Sequence, residues 1–178
     1  MYLENCRTLY NRSKAFFKST RTAIDIGSKF GAYAYFMHEE FDHIHCFDMR
    51  NKMRWRELPE GKITFHNVAL GNHMGKIRYT QAHTDTAGEH EAELATLDSF
   101  GFQSVDHIKI DVEGDELVVL QGSEQTILKW HPVITLEQKI LTEELNKGVE
   151  TQATELLRSY GYSVVDSPPG NQIMIYSI

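Results

Sequence analysis

The segment Ile108–Gly114, with sequence Ile-Lys-Ile-Asp-Val-Glu-Gly, constrains the fold of this chain more than any other segment. Alternation places its three branched apolar residues on one face of a strand and Lys109 and Asp111 on the other. A strand buried on both faces belongs to a parallel sheet covered by helices, and normally carries Val, Ile and Leu throughout. Charged residues at its carboxyl end lie where open α/β sheets bind their ligands. The segment therefore predicts an α/β fold with a ligand site at this strand end.

The charged pair in this strand needs an explanation, because two charges are costly to bury without partners. For Lys109 two explanations stay open: a structural ion pair that ties two strands together, or a functional group. Asp111 lies at the tip of the strand, and for this residue we favour a function.

Strands and helices alternate along the chain without a break that would mark a second domain. This alternation indicates a parallel sheet, and the last two strands are expected to form a hairpin. We predict a doubly wound, mostly parallel α/β sheet of about seven strands with an antiparallel C-terminal edge hairpin. The predicted strands are residues 22–26, 44–48, 62–66, 107–112, 132–137, 162–165 and 173–176, and the predicted helices are residues 31–40, 115–121, 123–129 and 150–160.

Two segments are less regular. Residues 75–80 have the pattern of a further strand, but the sequence does not identify its partner. Residues 81–93 are polar, lack periodicity and precede the strand at 107–112. Long irregular segments in compact domains are often functional, so this one is either a flap over a ligand or a solvated loop.

The net charge of −7 is spread unevenly over the 178 residues. Residues 1–22 carry five basic residues and one acidic residue, so the remainder carries −11. An acidic body argues against a nucleic-acid partner, because phosphate neutralisation supplies most of that affinity. The basic residues could steer an anionic substrate or contact a membrane surface. We interpret residues 1–20 instead as a basic helical extension with a solvated face.

Features of secreted or membrane proteins are missing from the sequence. It has no apolar run long enough to span a bilayer, and its first residues lack the pattern of a signal peptide. Cys6 and Cys46 are its two cysteines, which do not suggest a disulfide framework. We therefore expect a cytoplasmic protein without a membrane span, and the sequence does not indicate its oligomeric state.

The first predicted strand and its turn have the pattern of a nucleotide-type site. Asp25, Gly27 and Gly31 lie in the segment Asp-Ile-Gly-Ser-Lys-Phe-Gly, where glycines let the backbone approach a ligand closely. The following helix presents unpaired amide hydrogens to a carboxylate or phosphate. Asp48 ends the second strand, 23 positions after Asp25, which is the spacing of an acid that binds ribose hydroxyls.

The glycine pattern separates two kinds of ligand. A dinucleotide site requires Gly-x-Gly-x-x-Gly, whereas Lys29 occupies the middle position in this chain. The pattern Asp-x-Gly-x-x-x-Gly suits a ligand whose amino group meets a carboxylate and whose carboxylate meets backbone amides. S-adenosylmethionine has both groups and also a ribose for Asp48. An NAD-linked oxidoreductase remains the less favoured alternative.

Five segments of the chain follow one another in a characteristic order: residues 25–31, 67–71, 96–98, 108–114 and 132–137. Through these segments the chain resembles the FkbM-type methyltransferases, which are class I, Rossmann-like, S-adenosylmethionine-dependent enzymes. The resemblance implies that residues 21–178 form one Rossmann-like methyltransferase domain. Because family members mostly act as O-methyltransferases on sugars and natural products, it also implies a small-molecule or glycan acceptor. A non-catalytic S-adenosylmethionine-binding module is the alternative.

The resemblance also implies roles for individual residues. It places Asp25 and the two glycines at the methionine end of the cofactor, Asp48 at the ribose and residues 67–69 near the adenine. Plain core packing would explain Val68 and Ala69 nearly as well. Glu113 is the first candidate for the base that removes the acceptor proton, with Asp111 and Glu137 in reserve. The full cofactor set is Asp25, Gly27, Ser28, Gly31, Asp48, Met49, Asn67, Val68, Ala69 and Asp111.

Two further features complete the expectations. The family usually has Ala-Asn where this chain has Ser28 and Lys29, and we expect the lysine to point into solvent. The alternatives are that Lys29 pairs with the cofactor carboxylate or that it contacts an acidic acceptor. His43 and His45 share one face of a predicted strand, but no Cys-x-x-Cys or His-Glu-x-x-His pattern accompanies them. We therefore predict packing roles for them and no metal site.

Overall fold

The computed structural model describes residues 2–50, 61–80, 89–137 and 152–177. Within these ranges the strands are β1 (Thr22–Ile26), β2 (His43–Phe47), β3 (Ile63–His66), β4 (Ala69–Leu70), β5 (Gly75–Tyr79), β6 (His90–Ala95), β7 (His107–Ile110), β8 (Val133–Glu137), β9 (Tyr162–Asp166) and β10 (Asn171–Tyr176). The α-helices are α1 (Tyr2–Lys14), α2 (Ala32–Met37), α3 (Glu116–Gln121), α4 (Glu124–Trp130) and α5 (Gln152–Ser159).

Seven strands form the main sheet in the order β3-β2-β1-β7-β8-β10-β9. The pairs from β3 to β8 are parallel, and β10 is antiparallel to both β8 and β9. The predicted α/β fold, mostly parallel sheet and C-terminal hairpin are therefore confirmed. The antiparallel strand β10 lies between β8 and β9, so the strand at the outer edge is β9.

Helices cover both faces of the main sheet. On one face, Ile24 and Ile108 belong to a buried cluster with residues of α3, α4 and α5, among them Leu157. On the other face, Ala23 belongs to a second cluster with residues of α1 and α2, among them Tyr10. This double coverage explains why the central strands are apolar on both sides, and it makes the buried polar residues between them notable.

The helix α1 contributes to the core as well as to the surface. Tyr10 and Ser13 are buried, and the hydroxyl oxygens of Ser13 and Tyr33 lie 2.9 Å apart. Arg7 and Arg12 are exposed, and Arg12 forms an ion pair with Asp166 of β9. The basic helix therefore has a buried face against α2 in addition to its solvated face. Among the helices of the described ranges, none is long and apolar enough to cross a membrane.

A second, three-stranded sheet has the order β4-β6-β5. The expectation of a strand from residue 75 is confirmed, and its antiparallel partner is β6. The expectation of an irregular segment over residues 81–93 is wrong for residues 90–93, which belong to β6. Exposed glutamates conceal this strand in the sequence, and one of them, Glu91, lies 2.7 Å from Lys76 of β5. Residues 81–88 lie outside the described residues.

Candidate functional site

A cavity of about 260 Å³ opens at the carboxyl ends of β1, β2 and β7. Gly27, Asp48 and Asp111, which follow these three strands, line it together. The small sheet closes the opposite side with Leu70 and Leu94. Since the strand order reverses between β1 and β7, the cavity lies at the topological switch point, where ligands of open α/β sheets bind.

The turn after β1 depends on a glycine. Gly27 has φ of 79°, and its N–H donates to the carbonyl of Phe47 at 2.8 Å. A Cβ atom at this position would lie 1.8 Å from the carbonyl oxygen of Asp111. The N–H of Asp111 in turn donates to the carbonyl of Ile26 at 3.0 Å. The two strand ends are therefore in backbone contact, and only a residue without a side chain fits between them.

Ser28 and Gly31 form the rest of this turn. Gly31 has φ of 81°, and its N–H donates to the carbonyl of Ser28 at 2.7 Å. Ser28 is buried, and its hydroxyl has no hydrogen-bond partner within the described part of the chain. Neither residue is among those that line the cavity. The structure thus places both behind Gly27, where they shape the turn.

The carboxylate of Asp48 is fixed in the cavity wall. It is buried and accepts hydrogen bonds from the backbone N–H of Lys29 at 2.9 Å and of Arg50 at 2.7 Å. The side-chain Nε of Arg50 lies 3.4 Å away. The side-chain amide of Asn67 donates to the backbone carbonyl of Asp48 at 3.1 Å. A carboxylate has about four acceptor positions, so this preset Asp48 can still accept a ligand hydroxyl.

Residues predicted for the ribose and adenine ends lie on the same side of the cavity. Met49, Val68 and Ala69 line it. Val68 also packs against the main core, so its two expected roles are compatible. Asn67 lies outside the wall and lines a neighbouring polar cavity with Met49. The side chain of Lys29 is exposed, as expected.

Asp25 lies beneath the cavity and does not line it. It is fully buried, and neither of its carboxylate oxygens has a hydrogen-bond partner within the described residues. The nearest cation is Lys109, whose Nζ lies 3.6 Å from Oδ1 of Asp25. Burial raises the pKa of Asp25 to about 6, although the charge of Lys109 opposes this. Contact between Asp25 and a ligand would therefore be indirect.

Lys109 connects Asp25 to the cavity wall. Its Nζ lies 3.0 Å from Oδ2 of Asp111, which lines the cavity. The ion pair that the sequence suggested therefore exists, and it joins β1 to the end of β7. It also reaches Asp111 in the cavity wall, so the ion pair is compatible with a functional role for Lys109.

Two further carboxyl groups lie near this strand end. Glu137 is the last residue of β8 and is partly buried. Burial, a hydrogen bond with Asp111 and the charge of Asp111 raise the pKa of Glu137. Glu113 lines the cavity and has φ of 61°, a conformation that residues other than glycine rarely adopt. Such strained positions are concentrated at functional sites.

The cavity also has lining residues that sequence reasoning did not single out. Arg50, Asn72, His73, Asp115 and Val118 are among them. Asn72 and His73 directly follow the segment 67–71, and this adjacency was the only sequence feature that could have indicated that they line the cavity. The turn at residue 71 lies close to Gly122, and the side-chain amide of Asn72 donates to Gln121 at the end of α3, contacts that no local sequence pattern reveals.

His45 pairs with a histidine of the neighbouring strand β3. Nδ1 of His45 lies 3.0 Å from Nε2 of His66, and the two rings are stacked. Burial lowers the pKa of His45 to about 4. Within the described ranges, no group of three or more potential metal ligands occurs. The stacked rings place His45 in packing contact with β3.

Comparison with protein families connects this geometry to a known domain. The methyltransferase FkbM domain matches residues 57–164, which is more than half of the chain. The chain belongs to the FkbM methyltransferase domain family. A comparison with curated protein sequences gives no match.

Solved structures share the fold at low sequence identity. Methyltransferase FkbM from Methylobacillus flagellatus KT has a TM-score of 0.70 and 16% identity, over 96% of this chain and 48% of that chain. An rRNA methylase from Streptococcus thermophilus has a TM-score of 0.55 and 11% identity, over 95% and 93% of the two chains. The N-methyltransferase NodS from Bradyrhizobium japonicum has a TM-score of 0.54 and 10% identity, over 97% and 92%.

These similarities also define what the fold leaves open. The chain spans about half the length of the Methylobacillus protein. One of the similar structures is an rRNA methylase, so the fold by itself does not exclude a nucleic-acid acceptor. The acidic charge of the chain remains the argument against such an acceptor.

Proposed function

We propose that this FkbM-family chain binds S-adenosylmethionine in the cavity at the switch point and transfers its methyl group to a hydroxyl oxygen of a small-molecule or glycan acceptor. The observation that carries the proposal is the convergence of Gly27, Asp48 and Asp111 on one cavity. Gly27 lets the methionine moiety of the cofactor approach the backbone closely, and Asp48 is positioned to accept hydrogen bonds from its ribose. Asp111 places negative charge near its amino and sulfonium groups.

The residues present fit the cofactor in polarity and in charge. Asp48 would accept hydrogen bonds from ribose hydroxyls, and Val68 and Ala69 provide apolar surface for the adenine. Asp111 and Glu113 place carboxylates on the wall, where they would attract the amino and sulfonium groups. When bound, S-adenosylmethionine supplies an electrophilic methyl group, which passes to the acceptor oxygen and leaves a neutral thioether.

The chain itself has two tasks in such a reaction. The first is alignment, because holding two reactants in line lowers a barrier by roughly 7–11 kcal/mol. The second is removal of the hydroxyl proton as the new bond to oxygen forms. We assign the second task to Glu113, because it lines the cavity and its backbone conformation is strained there. Asp111 is the alternative base, since it lines the same wall.

Calorimetric titration and methyl-transfer assays test this function together. We expect S-adenosylhomocysteine to bind the wild type more tightly than NAD does, and to bind Asp48→Ala about 10- to 100-fold more weakly, since loss of a charged hydrogen bond costs about 1.5–3 kcal/mol. The matched control is Asp42→Ala, because Asp42 is exposed and does not line the cavity. Equal affinity of both variants would contradict the site.

Radiolabelled methyl transfer to a panel of glycans and natural products then tests catalysis. Incorporation of label at an acceptor oxygen supports the proposed O-methyltransferase. Tight binding without incorporation across the panel would favour a non-catalytic binding module, and preferential binding of NAD would favour an oxidoreductase.

A further inference from the structure

A buried lysine lies between carboxyl groups from neighbouring strands, directly beneath the cavity. Lys109 is 6% exposed and sits on the face of β7 that α2 covers. Its Nζ lies 3.0 Å from Oδ2 of Asp111, 3.6 Å from Oδ1 of Asp25 and 5.6 Å from the ring centre of Tyr33. The ammonium group is therefore held by β1, by β7 and by the aromatic face of α2.

The third carboxyl group of this cluster comes from β8. In the pairing of β7 with β8, Ile110 lies opposite Leu136. The next residues are Asp111, which directly follows β7, and Glu137, which ends β8. Glu137 interacts with Asp111 by a hydrogen bond. Two carboxyl groups in hydrogen-bond contact cannot both be ionised without strong repulsion, so one of them keeps a proton.

The charge balance of the cluster decides which carboxyl group keeps the proton. One ammonium group cannot compensate three carboxylates, of which Asp25 is fully buried and Asp111 and Glu137 are partly buried, and uncompensated charge away from water is costly. Asp111 has the shortest contact with the ammonium group of Lys109. The charged groups that face Glu137 within the described residues are Asp111, Lys109 and Glu116. Burial and the acidic neighbours raise the pKa of Glu137, and the charge of Lys109 only partly opposes this.

We propose that Lys109 is a positioning residue that holds Asp111 as a carboxylate and leaves Glu137 as a protonated acid, hydrogen-bonded to Asp111. This inference rests on the proposed function, in which Asp111 presents negative charge to the cofactor. It adds that Glu137 is a hydrogen-bond donor at neutral pH and does not remove the acceptor proton. Of the three candidate bases named from the sequence, Glu113 and Asp111 then remain.

Infrared spectroscopy of the ligand-free protein tests the position of the proton. We expect the wild type near neutral pH to show the carbonyl band of a protonated, buried carboxyl group, which Glu137→Gln removes and which alkaline titration of the wild type also removes. Identical carboxyl bands in the wild type and Glu137→Gln would overturn the proposal. This measurement needs neither cofactor nor acceptor, so its outcome is separate from that of the proposed function.

Variants of Lys109 test its part in the arrangement. We expect Lys109→Met to add a second protonated-carboxyl band and to move the acidic limb of the methyl-transfer pH profile upward by about one unit or more, because the nearby positive charge is lost. Lys109→Arg should restore both readouts. The control is Lys76→Met, since Lys76 is an exposed, ion-paired lysine on β5. An unchanged band pattern in folded Lys109→Met would overturn the role of Lys109; if this variant does not fold, the Glu137→Gln comparison decides the proposal.

Discussion

Two residues near the cavity have backbone φ angles that most residues avoid. Lys29 has φ of 51° and Glu113 has φ of 61°. Asparagine tolerates this left-handed region far better than lysine does. This preference gives a physical reason for the asparagine that the FkbM family usually has at the position of Lys29. The lysine here keeps the same backbone shape, because its N–H donates to Asp48 at 2.9 Å.

Replacing Lys29 by asparagine should therefore stabilise the protein. We expect Lys29→Asn to raise the free energy of unfolding by about 0.5–1 kcal/mol, a part of the roughly 1–2 kcal/mol that a left-handed residue costs. Urea unfolding followed by circular dichroism measures the change. Lys18→Asn is the control, because Lys18 is also exposed but is not among the residues with positive φ. A lower stability of Lys29→Asn than of this control would contradict the argument.

Glu113 gives a kinetic prediction at the same scale. A positioned general base contributes typically about 10²- to 10⁴-fold to a rate. We expect Glu113→Gln to lose turnover by about this factor while its affinity for S-adenosylhomocysteine changes little, because glutamine keeps the shape of the side chain. Initial rates with saturating acceptor measure the loss, and Glu124→Gln in the exposed first turn of α4 is the control. Near-normal turnover would remove Glu113 from the role of base.

Among the elements, the turn between β1 and α2 depends most on its exact residues. Gly27 and Gly101 both have positive φ, 79° and 62°. A Cβ on Gly27 would lie 1.8 Å from a backbone oxygen at the end of β7, whereas a Cβ on Gly101 would meet nothing within 4 Å. The two glycines thus share the conformational requirement and differ in the steric one.

Alanine substitutions at these glycines should separate the two requirements. We expect Gly101→Ala to lower the free energy of unfolding by about 1–2 kcal/mol through backbone strain. Gly27→Ala should cost clearly more and should also weaken S-adenosylhomocysteine binding, because β1 and β7 must move apart. Denaturant unfolding and calorimetry measure both effects. Equal losses of stability with intact binding in Gly27→Ala would show that the contact between the strand ends is not required.

The elements also explain which parts of the site could be predicted from sequence. The central strands and the tip residues Asp48 and Asp111 follow from alternation, since each strand is short and apolar. The predicted strand 22–26 coincides with β1, but no sequence pattern indicated that the side chain of Asp25 would be fully buried inside the sheet. The strand β6 was missed because its exposed glutamates are balanced by charges on β5, a pairing distant in the sequence.

Signature segments, in turn, do not distinguish a residue that faces a ligand from one that supports it. Gly27, Val68, Ala69, Asp111 and Glu113 line the cavity, whereas other residues from the same segments do not. The difference arises from hydrogen bonds that cross the chain, such as the one from Asn67 to the backbone of Asp48. The supporting residues are Asp25, Ser28, Gly31, Asn67 and Glu137.

For the whole molecule, the face covered by α1 and α2 contains a histidine that must stay neutral. His107 is fully buried, and its Nδ1 lies 2.9 Å from the carbonyl oxygen of Val133. The ring of Phe17 packs 4.8 Å from its ring centre. Burial lowers the pKa of His107 to about 4 from an ordinary value near 6.5. As the pH falls, the unfolded chain therefore binds a proton at His107 at a higher pH than the folded chain does.

Taken by itself, this difference makes the protein less stable in mild acid; the lowered pKa of His45 acts in the same direction, and the raised pKa values of Asp25 and Glu137 act in the opposite direction. As the pH falls from about 6.5 to about 4, proton binding by the unfolded state lowers the free energy of unfolding by an amount on the order of 3 kcal/mol. Denaturant unfolding between about pH 7 and pH 5 measures the slope. His107→Phe should remove the contribution of this residue, so that the variant loses less stability on acidification than the wild type does, whereas His43→Gln, at an exposed position on β2, should leave the slope unchanged. An equally steep slope in His107→Phe would contradict the assignment.

The position of β10 sets the order in which the outer part of the main sheet assembles. β9 precedes β10 in the chain, yet β9 is bonded to β10, and β10 is bonded to β8. The earlier strand is thus anchored by the later one, and the two dock most directly as a preformed hairpin. A polypeptide still emerging from the ribosome would have to wait for residues 171–176 before this edge could close.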